Sequence, residues 1–141
     1  MFLIFYIIIS KGTFKVDEDY KKLDLALESY NINYYTVYED DALMKYKVYK
    51  LNIIGENEKF RNKLKKSSYW SKNRLDDSIL DDFEYNKEVL EIKNGYYHYE
   101  LVCRTSDENK KHNFTKEEAT GWEIGVYDAD KNILYYYWQS R

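Results

Sequence analysis

A chain of 141 residues with 33% charged residues and a formal net charge of −3 has the size of one domain, and its charge balance excludes a generally basic nucleic-acid binder as well as a strongly acidic mimic of one. A single cysteine, Cys103, excludes an intramolecular disulfide and a cysteine-built zinc site and fits a reducing compartment. Tyrosine occurs 17 times and proline not at all, a composition that AT-rich codons favour and that phages and other mobile elements of low-GC bacteria often share, so the expected location is the cytoplasm of a bacterial host.

Residues 2–9 are apolar throughout, too short a run to span a bilayer and without a basic start or a small-residue cleavage site. They read as a strand buried on both faces, and no membrane role is expected. The Lys11-Gly12-Thr13 triplet breaks the pattern, and Asp17 can cap a helix carrying Tyr20, Leu23, Leu27 and Tyr30 at helical spacing. Residues 32–38 and 44–54 read as strands separated by an acidic turn. In the second of them the apolar set changes parity from Tyr46 and Val48 to Leu51 and Ile53, which suggests a bulge near Tyr49-Lys50. Residues 56–70 follow as a helix with Phe60 and Leu64 inward. The order to this point has the look of a split β-α-β ferredoxin-like opening, a fold-level analogy only.

Residues 71–86 are polar and irregular, a long connection. Asn94-Gly95 between residues 89–92 and 96–105 is the strongest short-range hairpin signal in the chain, and pairing from that turn sets Glu91 against His98. Residues 106–120 read as a hydrophilic loop. The last twenty residues form a second hairpin, with Asp128 facing Asn132. That register pairs Val126 with Leu134, Ile124 with Tyr136 and Trp122 with Trp138 on one face, and leaves Tyr127, Tyr135 and Tyr137 on the other. The expected fold is α+β: a single domain over residues 1–141, mostly antiparallel sheet with two helices, in the order β-α-β-β-α followed by a four-stranded antiparallel meander.

Chemistry is less legible. Glu91-Ile92-Lys93, preceded by Asp82, matches an acidic residue followed by Glu-x-Lys, which in metal-dependent nucleases holds a cation and orients water, but such triplets are frequent in a chain rich in Glu and Lys. Asp128 to Asn132 begins like a calcium loop and then has Ile133 where glycine must turn the chain. The 2 histidines, His98 and His112, build neither a zinc centre nor a two-histidine phosphoesterase. No catalytic residue, metal ligand or cofactor is therefore expected. Lys59, Lys63 and Lys66, with Tyr69 and Trp70 downstream, combine cations with rings, the recipe for single-stranded nucleic acid or a nucleotide.

The tyrosine excess points elsewhere. A small domain can hardly bury every ring, and exposed tyrosines favour protein interfaces. The leading expectation is a non-catalytic protein-binding inhibitor, a phage or mobile-element accessory protein that neutralises a bacterial defence effector in the manner of an anti-CRISPR, or an immunity protein against a toxin. Its partner surface is expected at Tyr127, Tyr135, Tyr137 and Glu123. The alternative is a nucleic-acid or small-nucleotide binding protein, extending to a metal-dependent nuclease using Asp82, Glu91 and Lys93.

Overall fold

The computed structural model describes residues 4–13, 25, 27, 30–40, 45–81 and 85–140. Its frame is a six-stranded antiparallel sheet of β1 (Ile4–Thr13), β2 (Asn31–Asp40), β3 (Lys45–Ile54), β4 (Gly95–Val102), β5 (Gly121–Asp128) and β6 (Ile133–Ser140), in the spatial order β1-β2-β3-β6-β5-β4. The α+β class expected from sequence is the observed one. β1 lies directly beside β2 and antiparallel to it, so the ferredoxin-like opening, which would make the first two strands parallel with another between them, is not what forms. Most of the first expected helix, with Asp17, Tyr20 and Leu23, lies outside the described residues; Leu27 and Tyr30 are buried in the core.

Both faces of the central strands are covered, and this accounts for the parity change in β3. Its register with β2 and β6 is continuous from Lys45 to Ile54, without a bulge. Tyr49, Leu51 and Ile53 pack with Leu134, Tyr136, Trp138, Tyr127 and Tyr96 on one face, beneath Phe60 and Leu64 of α1 (Asn57–Lys66). Val48 faces the other way and joins Tyr135, Tyr137, Ile124, Val126 and Tyr97 under Leu80, Val89 and Ile92. That second cover is made by two short helices, α2 (Asp77–Leu80) and α3 (Asn86–Leu90). A strand sandwiched between two layers reads apolar on alternating parities without any interruption of its ladder.

The turn into α1 uses two consecutive left-handed residues, Gly55 (φ 74) and Glu56 (φ 51). Glu58 in the first turn and Lys63, Lys65 and Lys66 in the last then complement the helix dipole. Phe60 and Leu64, one turn apart, are fully buried, Phe60 against Tyr127 at 4.8 Å between ring centres.

Two sequence expectations fail here. Residues 89–92 do not form a hairpin arm, so the expected four-stranded meander is the three strands β4, β5 and β6. Tyr85, Val89 and Ile92 recur at i, i+4 and i+7, and this helical stripe outweighs the Asn-Gly turn signal. Gly95 opens β4, and His98 consequently faces Gly125 of β5 instead of Glu91.

The C-terminal hairpin forms, but Asp128 pairs with Ile133 and the connection is the four residues 129–132. Asn132 takes the left-handed conformation (φ 56), and the Asp128 carboxylate accepts the amides of Asp130 and Lys131. The Asn132 side-chain amide donates to the Ile53 carbonyl at 2.5 Å and to the Asn57 side chain at 2.6 Å, and its oxygen accepts from the Tyr127 hydroxyl. These bonds tie the turn to the start of α1 and fix the longer loop. The one-residue difference moves Tyr127 to the α1 face and leaves Tyr135 and Tyr137 on the opposite one.

Residues 106–120 carry α4 (Glu108–His112), capped by the Asp107 carboxylate, and a 3₁₀ turn at Lys116–Glu118, where the expectation was a hydrophilic loop. Among the described residues no helix is long and apolar enough to cross a membrane.

Candidate functional site

The expected partner surface does not exist as an open patch. Tyr127, Tyr135, Tyr137 and Glu123 are 0%, 2%, 4% and 1% exposed, respectively, because the covering layers on both faces exclude solvent from every ring of the hairpin centre. Their hydroxyls are used internally. Tyr135 donates to Glu88 at 2.6 Å and Tyr137 to Gln139 at 2.6 Å. Burial pushes the Tyr127 hydroxyl up to about 12, and burial together with the Glu88 carboxylate raises that of Tyr135.

Glu88 also pairs with Lys50 at 2.8 Å. Partial burial alone would raise its carboxyl, but the hydrogen bonds from Lys50 and Tyr135 outweigh that and hold it below the usual range. A depressed folded value makes this contribution to stability complete above the unfolded value of about 4.3, and removes it as the pH falls through the lower folded value. The stability advantage of the wild type over Glu88→Gln should therefore shrink between about pH 5 and 3 in urea titrations; parallel pH curves for the two proteins would contradict the assignment.

Of the residues expected to form a nuclease centre, only Glu91 and Lys93 are among the described ones. Glu91 ends α3 with its side chain exposed, Lys93 is exposed, and Asp82 lies outside the described residues. The basic run splits across α1. Lys59, Lys63 and Lys66 line a shallow groove with Tyr30, Asn57 and Asn62. Arg61, Lys65 and Lys72 line a separate cleft of about 350 Å³ with Asn62, Asn94 and Tyr96. Tyr69 is 48% exposed but Trp70 only 6%, so the two rings cannot serve as a pair of stacking platforms.

The polar cluster that the fold does assemble was not visible as a constellation in sequence. His98 and Glu100 alternate on β4, Glu100 pairs with Glu123 of β5, and Gly125 lies between His98 and Tyr136. A Cβ on Gly125 would come within 2.4 Å of the Trp70 ring, which occupies the space above it and stands 5.6 Å from the His98 ring, tilted by 35°. The imidazole is held at both nitrogens, Nδ1 against the Tyr69 carbonyl at 2.8 Å and Nε2 against Glu123 Oε1 at 2.8 Å. A carbonyl can only accept, so Nδ1 carries hydrogen and one proton lies between Nε2 and Oε1. The second Glu123 oxygen accepts from the Tyr136 hydroxyl at 2.7 Å. Burial would raise the Glu123 carboxyl, and the hydrogen bonds from His98 and Tyr136 outweigh it and hold the group ionised at neutral pH.

This cluster sits behind the outer edge of the sheet. β4 is the last strand in the order, and its outward side meets only Ser71 among the described residues, through Ser71 N–H to Tyr97 O (2.9 Å) and Tyr97 N–H to Ser71 O (2.7 Å). In an antiparallel ladder alternate residues point their amides the same way, so the N–H and C=O of Tyr99 and Leu101 also face outward. Tyr99 is 43% exposed on that edge. No protein-family model, no curated protein and no solved structure matches this chain.

Proposed function

We propose that the chain is a non-catalytic protein that captures another protein and inhibits it, taking an extended strand of its partner onto the open edge of β4. The observation that carries this reading is the outward-facing backbone of Tyr99 and Leu101, beyond a bridge at Ser71 that already sets an antiparallel start. Edge addition draws affinity from backbone hydrogen bonds and specificity from side chains at alternate positions. Tyr99 and Tyr69, two of the large side chains most exposed among the described residues, flank this edge and supply contact area at low entropy cost. The tyrosine-rich, proline-free composition supports a phage or mobile-element origin, with a defence effector or a toxin as the partner.

A proline at Leu101 removes one outward amide without touching the ladder to β5, a change that an edge position tolerates. Leu101→Pro and Tyr99→Lys are expected to abolish capture of the protein that the wild type retains from a bacterial host extract, while Lys111→Ala on α4 leaves capture intact and all three keep the wild-type fold by circular dichroism. Capture that survives both edge substitutions would sink the reading.

A second reading, a binder of nucleic acid or of a nucleotide's phosphates, is favoured by the cleft in which Arg61, Lys65 and Lys72 converge. It predicts steeply salt-dependent retention of oligonucleotide, lost on Arg61→Ala with Lys65→Ala and indifferent to the edge substitutions.

A further inference from the structure

The cluster behind the edge has an arrangement that neither proposed reading uses. His98 Nε2, a Glu100 carboxylate oxygen and a Glu123 carboxylate oxygen all lie within 4.8 Å of one another, with Nε2 2.8 Å from Glu123 and 3.9 Å from Glu100. We propose that His98, Glu100 and Glu123 bind a divalent transition-metal cation, with Zn²⁺ as the preferred ion. An imidazole and two carboxylates form a nitrogen and oxygen donor set of the kind found at zinc sites, where bonds of about 2.0–2.2 Å to each donor are formed. A cation held that way needs donors roughly 3–3.5 Å apart. The observed separations of 2.8 Å and 3.9 Å from Nε2 lie on either side of that span. The order of stability for such donors places Zn²⁺ above Mn²⁺ and Fe²⁺.

The surroundings match what a metal ligand requires. A ligating histidine donates its other ring N–H to a fixed acceptor, and here Nδ1 meets the Tyr69 carbonyl at 2.8 Å, so the cation takes Nε2 by displacing to solvent the proton that Nε2 shares with Glu123. A ligating carboxylate is itself anchored, and here the Tyr136 hydroxyl holds the far oxygen of Glu123 at 2.7 Å. A further observation is independent of the donors. The indole N–H of Trp70, whose ring packs beside His98, is buried and has no hydrogen-bond partner. Buried donors without a partner are rare, and this one belongs to the ring that packs beside the ligating imidazole. Access runs past Glu100, whose side chain is 30% exposed while those of His98 and Glu123 are 2% and 1% exposed. Since His98 and Glu100 bracket Tyr99 on β4, an ion there would clamp the strand whose outer edge is proposed to receive a partner, but binding of the ion does not depend on that reading.

The test uses the full chain, stripped with chelator and titrated with Zn²⁺ alone and with Mn²⁺ alone, followed by calorimetry, melting temperature and the ring nitrogen resonances of His98 and His112. One equivalent of Zn²⁺ should bind, raise the melting temperature and shift the His98 resonances while leaving those of His112 in place. Mn²⁺ should bind more weakly. Glu100→Gln, chosen because its partly exposed side chain can change without unfolding the sheet, should weaken Zn²⁺ binding by roughly tenfold or more. Absence of any Zn²⁺-dependent melting shift, or binding that persists in Glu100→Gln and disappears in His112→Ala, would overturn the proposal.

Discussion

Tyr135→Ala is expected to destabilise the protein by about 3–5 kcal/mol, the range for removing a large aromatic from a packed core. The ring is 2% exposed, lies 5.7 Å from Tyr85, and has the Lys50 ammonium 5.9 Å from its centre. Truncation opens a cavity between β6 and α3 and strips the Glu88 carboxylate of the hydroxyl that donates to it. Tyr135→Phe keeps the packing and loses only the hydrogen bond, so it should lose about 0.5–1.5 kcal/mol. Urea unfolding of the two variants separates the contributions. If Tyr135→Ala fell within about 0.5 kcal/mol of wild type, the range of ordinary surface substitutions, the covering helices α2 and α3 would not be packed as described. The same experiment reverses an expectation read from sequence, in which this tyrosine belonged to a solvent-facing patch and its loss affected binding instead of stability.

The reason for that reversal shows what the sequence could and could not reveal. Alternating apolar residues on both sides of Asp128 to Asn132 marked the C-terminal hairpin, and it is there, but the faces depend on whether the connection has three residues or four. Four win because Asn132 adopts positive φ and spends its side-chain amide on Ile53 and Asn57, groups about 75 positions or more away in the chain. No local pattern contains that information. Asn94-Gly95 is the converse case: the dipeptide signals a hairpin, yet Val89 and Ile92 are fully or nearly buried under the sheet, so tertiary burial of a short helical stripe overrides turn chemistry. The aromatic cover over Gly125 comes from Trp70 in the segment after α1, a contact that no strand pattern contains. The candidate site was least legible of all. Glu123 stands between Trp122 and Ile124 in a strand pattern, and it reads as solvent-facing until the register with β4 and β6 sets it against Glu100 and Trp138, beside His98.

Glu123→Ala is expected to be as damaging as a core truncation, about 3–5 kcal/mol, even though it deletes a charge and not a large apolar group. The carboxylate is 1% exposed and holds three elements at once: His98 of β4 through one oxygen, Tyr136 of β6 through the other, and, through the imidazole, the carbonyl of Tyr69. Alanine removes the acceptor that the buried imidazole nitrogen and the buried Tyr136 hydroxyl both use, so two charge-assisted bonds are lost in a site that water does not reach. Glu123→Gln has nearly the same shape and can still bond both groups, one through its oxygen and the other through its amide, so it should lose markedly less, about 1–2 kcal/mol for exchanging charge-assisted bonds for neutral ones. The ratio between the two variants carries the information. A large loss in alanine with a small one in glutamine means that satisfied hydrogen bonds hold the edge strand and the residue 69–71 segment to the hairpin. Equal large losses would mean that the charge itself is required, and a loss below about 1 kcal/mol in alanine would mean that the cluster does not bind these elements together. Hydrogen exchange at the Tyr97 and Ser71 amides reports the same event locally, because the bridge between them is the contact that loosens first if His98 no longer anchors the Tyr69 carbonyl.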